Sequence, residues 1–193
     1  MGEVSRLSRA RTLLMVALGV LVGGWIAVGR LATPPLLGWA ALAAVGVTAA
    51  VMVAHPIALE RRGLRGALAL ALLTGVSLMY GAVAVGRAAD GVLPWMLIAW
   101  LQLVRTLVAD IAPGRSGIVR LSAALALGFV PASLVLPVRA GYGLAYFLVA
   151  VFAQLTVLVA AARLVVGRMD RVDLLLKGAM VMVLVALVVG RVA

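Results

Sequence analysis

The chain has 193 residues, 66% of them hydrophobic and only 12% charged, with a mean hydropathy of +1.24; a water-soluble domain cannot cover that much apolar surface, so an integral membrane protein is implied. The formal charge of +11 does not signal a nucleic-acid partner, because the cations are dealt out between apolar runs and not gathered on one water-facing patch. Absence of cysteine excludes disulfides, thiolate metal centres and thiol nucleophiles.

Seven apolar segments predict an all-α, multi-pass transmembrane helix bundle forming a single domain over 1–193: 13–28, 36–54, 67–85, 93–108, 121–135, 142–166 and 174–189. At 1.5 Å per residue these lengths suit a hydrocarbon core of roughly 30 Å, with end residues among the headgroups. Arg6, Arg9 and Arg11 before the first segment resemble a signal peptide, but no small-residue cleavage pattern follows and more segments come after it, so it reads as a retained helix. Gly19 and Gly23 in that segment, with Gly24 beside them, predict close helix packing. His55, before Pro56 at the end of the second segment, has no nearby Cys or His with which to hold a metal, and interfacial placement is expected. Thr74, Ser77 and Tyr80 share one face of the third segment. Interhelical hydrogen bonding is their ordinary reading, and lining a substrate cavity the sharper one. Pro131 predicts that the short fifth segment is kinked or tilted. Gln154 and Thr156 in the sixth pose the same ambiguity as the third.

Cations alternate along the connections. Groups of three (Arg6, Arg9, Arg11), three (Arg61, Arg62, Arg65), three (Arg105, Arg115, Arg120) and four (Arg163, Arg168, Arg171, Lys177) are each followed by a single residue, Arg30, Arg87, Arg139 and Arg191 in turn. The positive-inside rule then puts the N-terminus in the cytoplasm and the C-terminus outside a cell membrane, as seven spans require. Glu3, Glu60, Asp110, Asp170 and Asp173 fall on the same side as the cation groups, leaving Asp90 opposite. Any chemistry is expected at the cytoplasmic face.

Charge and hydrocarbon collide in Leu101–Gly117, LQLVRTLVADIAPGRSG. Gln102, Thr106 and Asp110 lie one above another at helical spacing, with Arg105 flanking Gln102. An Arg or Asp at the centre of a span costs roughly 2.5–3.5 kcal/mol, less toward the interface, so this stripe should face helices, water or a ligand. Anchoring of a helix end among headgroups is the plainer alternative.

The link and helix HPIALERRGLRGALALALLTGVSLMYGAVAVG, residues 55–86, resemble the corresponding part of UbiA-type polyprenyltransferases at Leu59, Arg61, Leu64, Gly66, Thr74, Gly75 and Gly81. In the next link Arg105, Asp110 and Ile111 fall in register with that family's second acidic motif. The resemblance implies a UbiA-like bundle that transfers a polyprenyl group from an isoprenoid diphosphate to a lipid-pathway acceptor. It further implies Arg61, Arg105 and Arg115 near the diphosphate, Asp110 as a Mg²⁺ ligand, and Gln102, Thr106, Thr74 and Tyr80 lining the cavity; no catalytic residue is assigned. Hard oxygen ligands suit Mg²⁺, and the metal with nearby Arg would neutralise charge on the departing diphosphate. Several positions depart from the pattern: Pro113 and Gly117 replace later acidic residues, Thr106 replaces Glu, and a chain without Asn lacks the first Asn-Asp motif. The resemblance covers only the later two-thirds of a family member. A single carboxylate is a poor Mg²⁺ site, so catalysis would need a partner chain supplying the first two helices of the family plan, or a start placed further upstream; a partner helix or a second copy could cover the surface that those two helices leave. The alternative is a non-catalytic bundle that binds a lipid or a partner chain.

Overall fold

The computed structural model describes residues 17–29, 39, 43, 64–109 and 116–192. Helix α1 covers Ala17–Val28, followed by α2 (Leu64–Ala84), α3 (Ala88–Ala109), α4 (Ser116–Arg139), α5 (Leu144–Val165) and α6 (Val172–Val192). The described residues include no strand. Helices α2 to α6 are each long and apolar enough to cross a membrane, and a helix satisfies its backbone N–H and C=O groups within one segment, as hydrocarbon demands. The predicted second segment, 36–54, lies outside the described residues apart from Trp39 and Ala43, which are helical. His55 also lies outside them.

Helix α4 is longer than the expected 121–135. Ser116, Gly117 and Pro137 look like boundaries in a one-dimensional reading, yet the helix includes all three. Three connections end their helices in the same way. Gly86, Gly141 and Gly167 adopt φ of 73°, 75° and 77°, and each following amide bonds five residues back: Arg87 to Ala82, Tyr142 to Pro137 and Arg168 to Arg163. Glycine takes this left-handed conformation without a Cβ clash, and the reversed bonds satisfy carbonyls that the helix end would leave bare.

Helix α3 packs against α2, α4 and α6, while α5 packs against α4 and α6. The result is a closed ring α3–α4–α5–α6 with α2 on the flank of α3. Leu97 and Leu101, Phe129, Tyr146, and Leu176 and Leu187 fill its core from the four helices in turn. Indole donors tie α3 to its neighbours: Trp95 Nε1 donates to the Leu72 carbonyl at 3.0 Å and Trp100 Nε1 to that of Leu125 at 2.9 Å.

Glycines set the α1–α2 contact, as the Gly19 and Gly23 spacing predicts. A Cβ added at Gly23 would sit 2.1 Å from the Leu78 carbonyl oxygen, and one at Gly81 would sit 1.9 Å from that of Val20. The two helices run the same way, since Gly19 lies against Ser77 and Arg87 Nη1 donates to the Ala27 carbonyl at 3.0 Å.

The prolines of α4 explain a buried polar cluster. Pro137 has no N–H to give the carbonyl of Ser133 four residues earlier. Tyr146 of α5 supplies the missing donor, its hydroxyl reaching that carbonyl at 2.8 Å. Gln154 Nε2 donates to Ser133 Oγ at 3.1 Å, and that hydroxyl donates to the Val130 carbonyl at 2.9 Å. Gln154 is thus engaged between helices; Thr156 bonds back to Phe152 of its own helix at 2.8 Å and has a longer contact, 3.9 Å, to Met182 Sδ of α6.

Two stability predictions follow from these contacts. Gly81→Ala should destabilise the bundle by about 1–3 kcal/mol through backbone overlap, whereas Gly178→Ala, where a Cβ meets nothing within 4 Å, should be neutral or stabilise by up to about 1 kcal/mol. Tyr146→Phe should cost about 1–3 kcal/mol by orphaning the Ser133 carbonyl, and less in a Pro137→Ala background that restores the helical donor. Reversible unfolding in mixed micelles measures all of them.

Candidate functional site

At one end of the ring the C-terminus of α3 meets the N-terminus of α6. Arg105 stands four residues before the end of α3 and Asp173 in the first turn of α6, the ends where helix dipoles favour a cation and an anion respectively. Arg105 Nε donates to Asp173 Oδ1 at 2.8 Å, and Arg105 Nη1 donates to Gln102 Oε1 at 2.9 Å. Lys177, one turn beyond Asp173, pairs with its other carboxylate oxygen. Thr106 Oγ1 donates to the backbone carbonyl of Gln102 at 2.9 Å.

The expected stripe on α3 is therefore real for Gln102, Arg105 and Thr106. Gln102 is buried, at 6% exposure, and its amide oxygen takes the inner edge of the guanidinium; Asp173 takes the outer edge. One carboxylate faces two cations, so the cluster keeps one excess positive charge. It also keeps N–H donors on Arg105 and Lys177 that these bonds do not use, and a phosphate oxygen is a suitable acceptor for such donors. Asp110, Arg61 and Arg115 lie outside the described residues. Thr74 and Tyr80 sit on α2, apart from this cluster. Thr74 Oγ1 donates to the Leu70 carbonyl at 2.8 Å within its own helix, and Tyr80 packs against Val20 of α1.

Asp173 and Lys177 are the members that the sequence reading did not single out. Their signal was present: an acid at the edge of a predicted helix with a cation four residues on is a helical ion pair. Nothing in the chain's order linked them to Arg105, which is 68 residues away.

The turn between α5 and α6 shares this end. Arg163 Nη1 donates to both Oδ2 and the backbone carbonyl of Asp170 at 2.8 Å. That guanidinium holds the exposed Asp170 carboxyl below its ordinary pKa of 3.8, with Arg168 adding to the effect.

The opposite end is a latch. Arg191 Nη2 meets Asp90 Oδ1 at 3.0 Å and its guanidinium lies over the Tyr142 ring, 4.8 Å from the centroid. Burial raises the pKa of the Tyr142 hydroxyl above 10.0, and Arg191 opposes part of that rise. The described cations divide between the two ends as the alternation along the chain predicts, with Arg105, Arg120, Arg163, Arg168, Arg171 and Lys177 at one end and Arg87, Arg139 and Arg191 at the other.

No protein-family model, curated protein or solved structure matches this chain.

A double-mutant cycle of Arg105→Gln and Asp173→Asn should return a coupling of about 1 kcal/mol, at the upper end for incompletely buried pairs. In acid, the Arg163–Asp170 contact has the sign of a depressed carboxylate. Its contribution is full above the ordinary Asp pKa and is lost as pH falls through the lower folded value. Asp170→Asn should therefore flatten the stability profile below about pH 4, within the ordinary carboxylate range, as followed by tyrosine and tryptophan fluorescence during acid titration.

Proposed function

We propose that the chain is a UbiA-type cell-membrane protein with seven spans, its N-terminus cytoplasmic and its C-terminus outside. Its activity is transfer of a prenyl group from an isoprenoid diphosphate to a lipid-pathway acceptor. The observation that carries the reading is the Arg105–Asp173–Lys177 cluster, a net positive, half-buried site where the α3 stripe reaches the ring end. The parallel course of α1 and α2 supports the expectation of one further crossing between them.

In such a transfer the allylic C–O bond breaks, the electron pair leaves with the diphosphate, and the acceptor forms the new bond to carbon and gives up a proton. Arg105 and Lys177 would stabilise the charge that grows on the leaving oxygens, which is where preorganised cations act most strongly. The acidic residues described here do not fit a Mg²⁺ site. Among the described residues no three His, Cys, Asp or Glu side chains converge, and both oxygens of Asp173 are engaged by cations. The proposed charge stabilisation accordingly rests on Arg105 and Lys177.

That same engagement favours a second reading, in which the bundle binds a phosphorylated lipid or a partner chain without turnover. The two separate in one experiment. The purified full chain in nanodiscs, given geranylgeranyl diphosphate and Mg²⁺, should release diphosphate; Arg105→Gln should slow release by about 10²–10³-fold, and Asp110→Ala should abolish it. Saturable binding of the same compound without release would support the second reading and overturn the transferase.

A further inference from the structure

The turn between α5 and α6, residues 166–171, is built in an unusual way. Arg171 adopts a φ of 60°, and it alone among the described non-glycine residues has a positive φ. It directly precedes α6 and its carbonyl accepts the Leu175 amide at 2.9 Å, so it occupies the cap position, where Ser, Thr, Asp or Asn would supply a side-chain acceptor. An arginine offers none, and a Cβ is disfavoured in this backbone conformation. Local folding therefore argues against the residue found there.

What the position provides is display. The Arg163 bonds to both groups of Asp170 and the reversed bond from Arg168 to Arg163 pin the turn from both sides. Arg168 and Arg171 are exposed, and among the described residues neither guanidinium has a hydrogen-bond or ion-pair partner. Exposed apolar side chains flank them: Val165 and Val166 are about 70% and 71% accessible, Leu174 66% and Met169 37%. Two cations above a collar of aliphatic groups match a phosphate lying above acyl chains, and a soluble acidic partner would leave that collar in water.

We propose that this turn is a binding site for an anionic phospholipid, with Arg168 and Arg171 on the headgroup phosphate and Val165, Val166, Met169 and Leu174 among its acyl chains. The site lies at the same end of the bundle as the Arg105 cluster but uses none of its three side chains, and it does not depend on prenyl transfer.

The chain contains no cysteine, so Ala162→Cys, at an exposed position one helical turn before Val165 and outside the proposed site, gives the full chain a single attachment point for a fluorophore beside the turn. Vesicles of phosphatidylcholine with the same lipid composition in both leaflets receive acyl-chain nitroxide-labelled phosphatidylglycerol or phosphatidylcholine as quencher. Quenching should favour phosphatidylglycerol, and the preference should fall about fivefold with each of Arg168→Gln and Arg171→Gln, as expected for one interfacial cation. Arg171→Gly, which suits the backbone and removes the guanidinium with the rest of the side chain, should lose the same preference while unfolding no earlier than the parent. Arg139→Gln, at the opposite end, should leave it unchanged. Equal quenching by the two lipids in the parent, or an equal loss in Arg139→Gln, would overturn the proposal. So would abolition of the preference by millimolar inorganic phosphate, which would assign the turn to a soluble anion.

Discussion

Two ion pairs at opposite ends of one helix pair set the frame of this molecule. Arg105 meets Asp173 where α3 ends and α6 begins, and Asp90 meets Arg191 where α3 begins and α6 ends. Sliding either helix by one turn, about 5.4 Å, would separate both pairs together and bring charges toward hydrocarbon. Exposed pairs of this kind contribute little to stability in water. Beside a bilayer the alternatives to pairing are worse, so the pairs select one antiparallel register out of several that the apolar faces would tolerate.

That selection is needed because the apolar contacts say little about register. The buried faces are rich in Leu, Val and Ala, and lipid competes for such side chains nearly as well as another helix does. Shape and hydrogen bonds therefore supply the specificity. The α1–α2 glycines admit backbones that any Cβ would push apart, and Trp95, Trp100 and Tyr146 each aim a donor at one carbonyl of a neighbouring helix. The Tyr146 contact has a cause in its target, since Pro137 leaves the Ser133 carbonyl without its usual partner.

The helices were legible because a bilayer imposes two strong one-dimensional signals, run length and charge at the ends, and both survive without knowledge of packing. Their limits were less so. Residues such as Ser116, Gly117 and Pro137 resemble breakers in sequence, but a helix end near headgroups can include them while its spare backbone groups find other partners. Gln102, Arg105 and Thr106 could be grouped because helical spacing alone brings them together. Asp173 and Lys177 could be paired with each other for the same reason, but not with Arg105, because no local rule spans 68 residues. Pro137 was a usable clue to the Tyr146 contact, since a proline orphans the carbonyl four residues earlier; what it could not reveal was the side chain that answers. Thr74 shows the converse, a polar residue on a promising face that turns back to its own helix.

The Arg105 cluster also bears on how a diphosphate could be received under the proposed activity. Asp173 holds one edge of Arg105, so a phosphate that is to take the whole guanidinium, and not only its unused donors, must displace it. Attraction scales with the product of the charges at a given distance and dielectric, so a multiply charged phosphate outcompetes a single carboxylate only if the displaced carboxylate is not left bare. Lys177 meets that condition. It stands one helical turn from Asp173 on the same helix and holds the second carboxylate oxygen, so Arg105 can exchange partners while Asp173 keeps a counter-charge. Had position 177 been apolar, release of Arg105 would have isolated an anion at the membrane boundary, and the pair would act as a fixed strut. With lysine there, the same three residues form a cation that can be lent to a ligand.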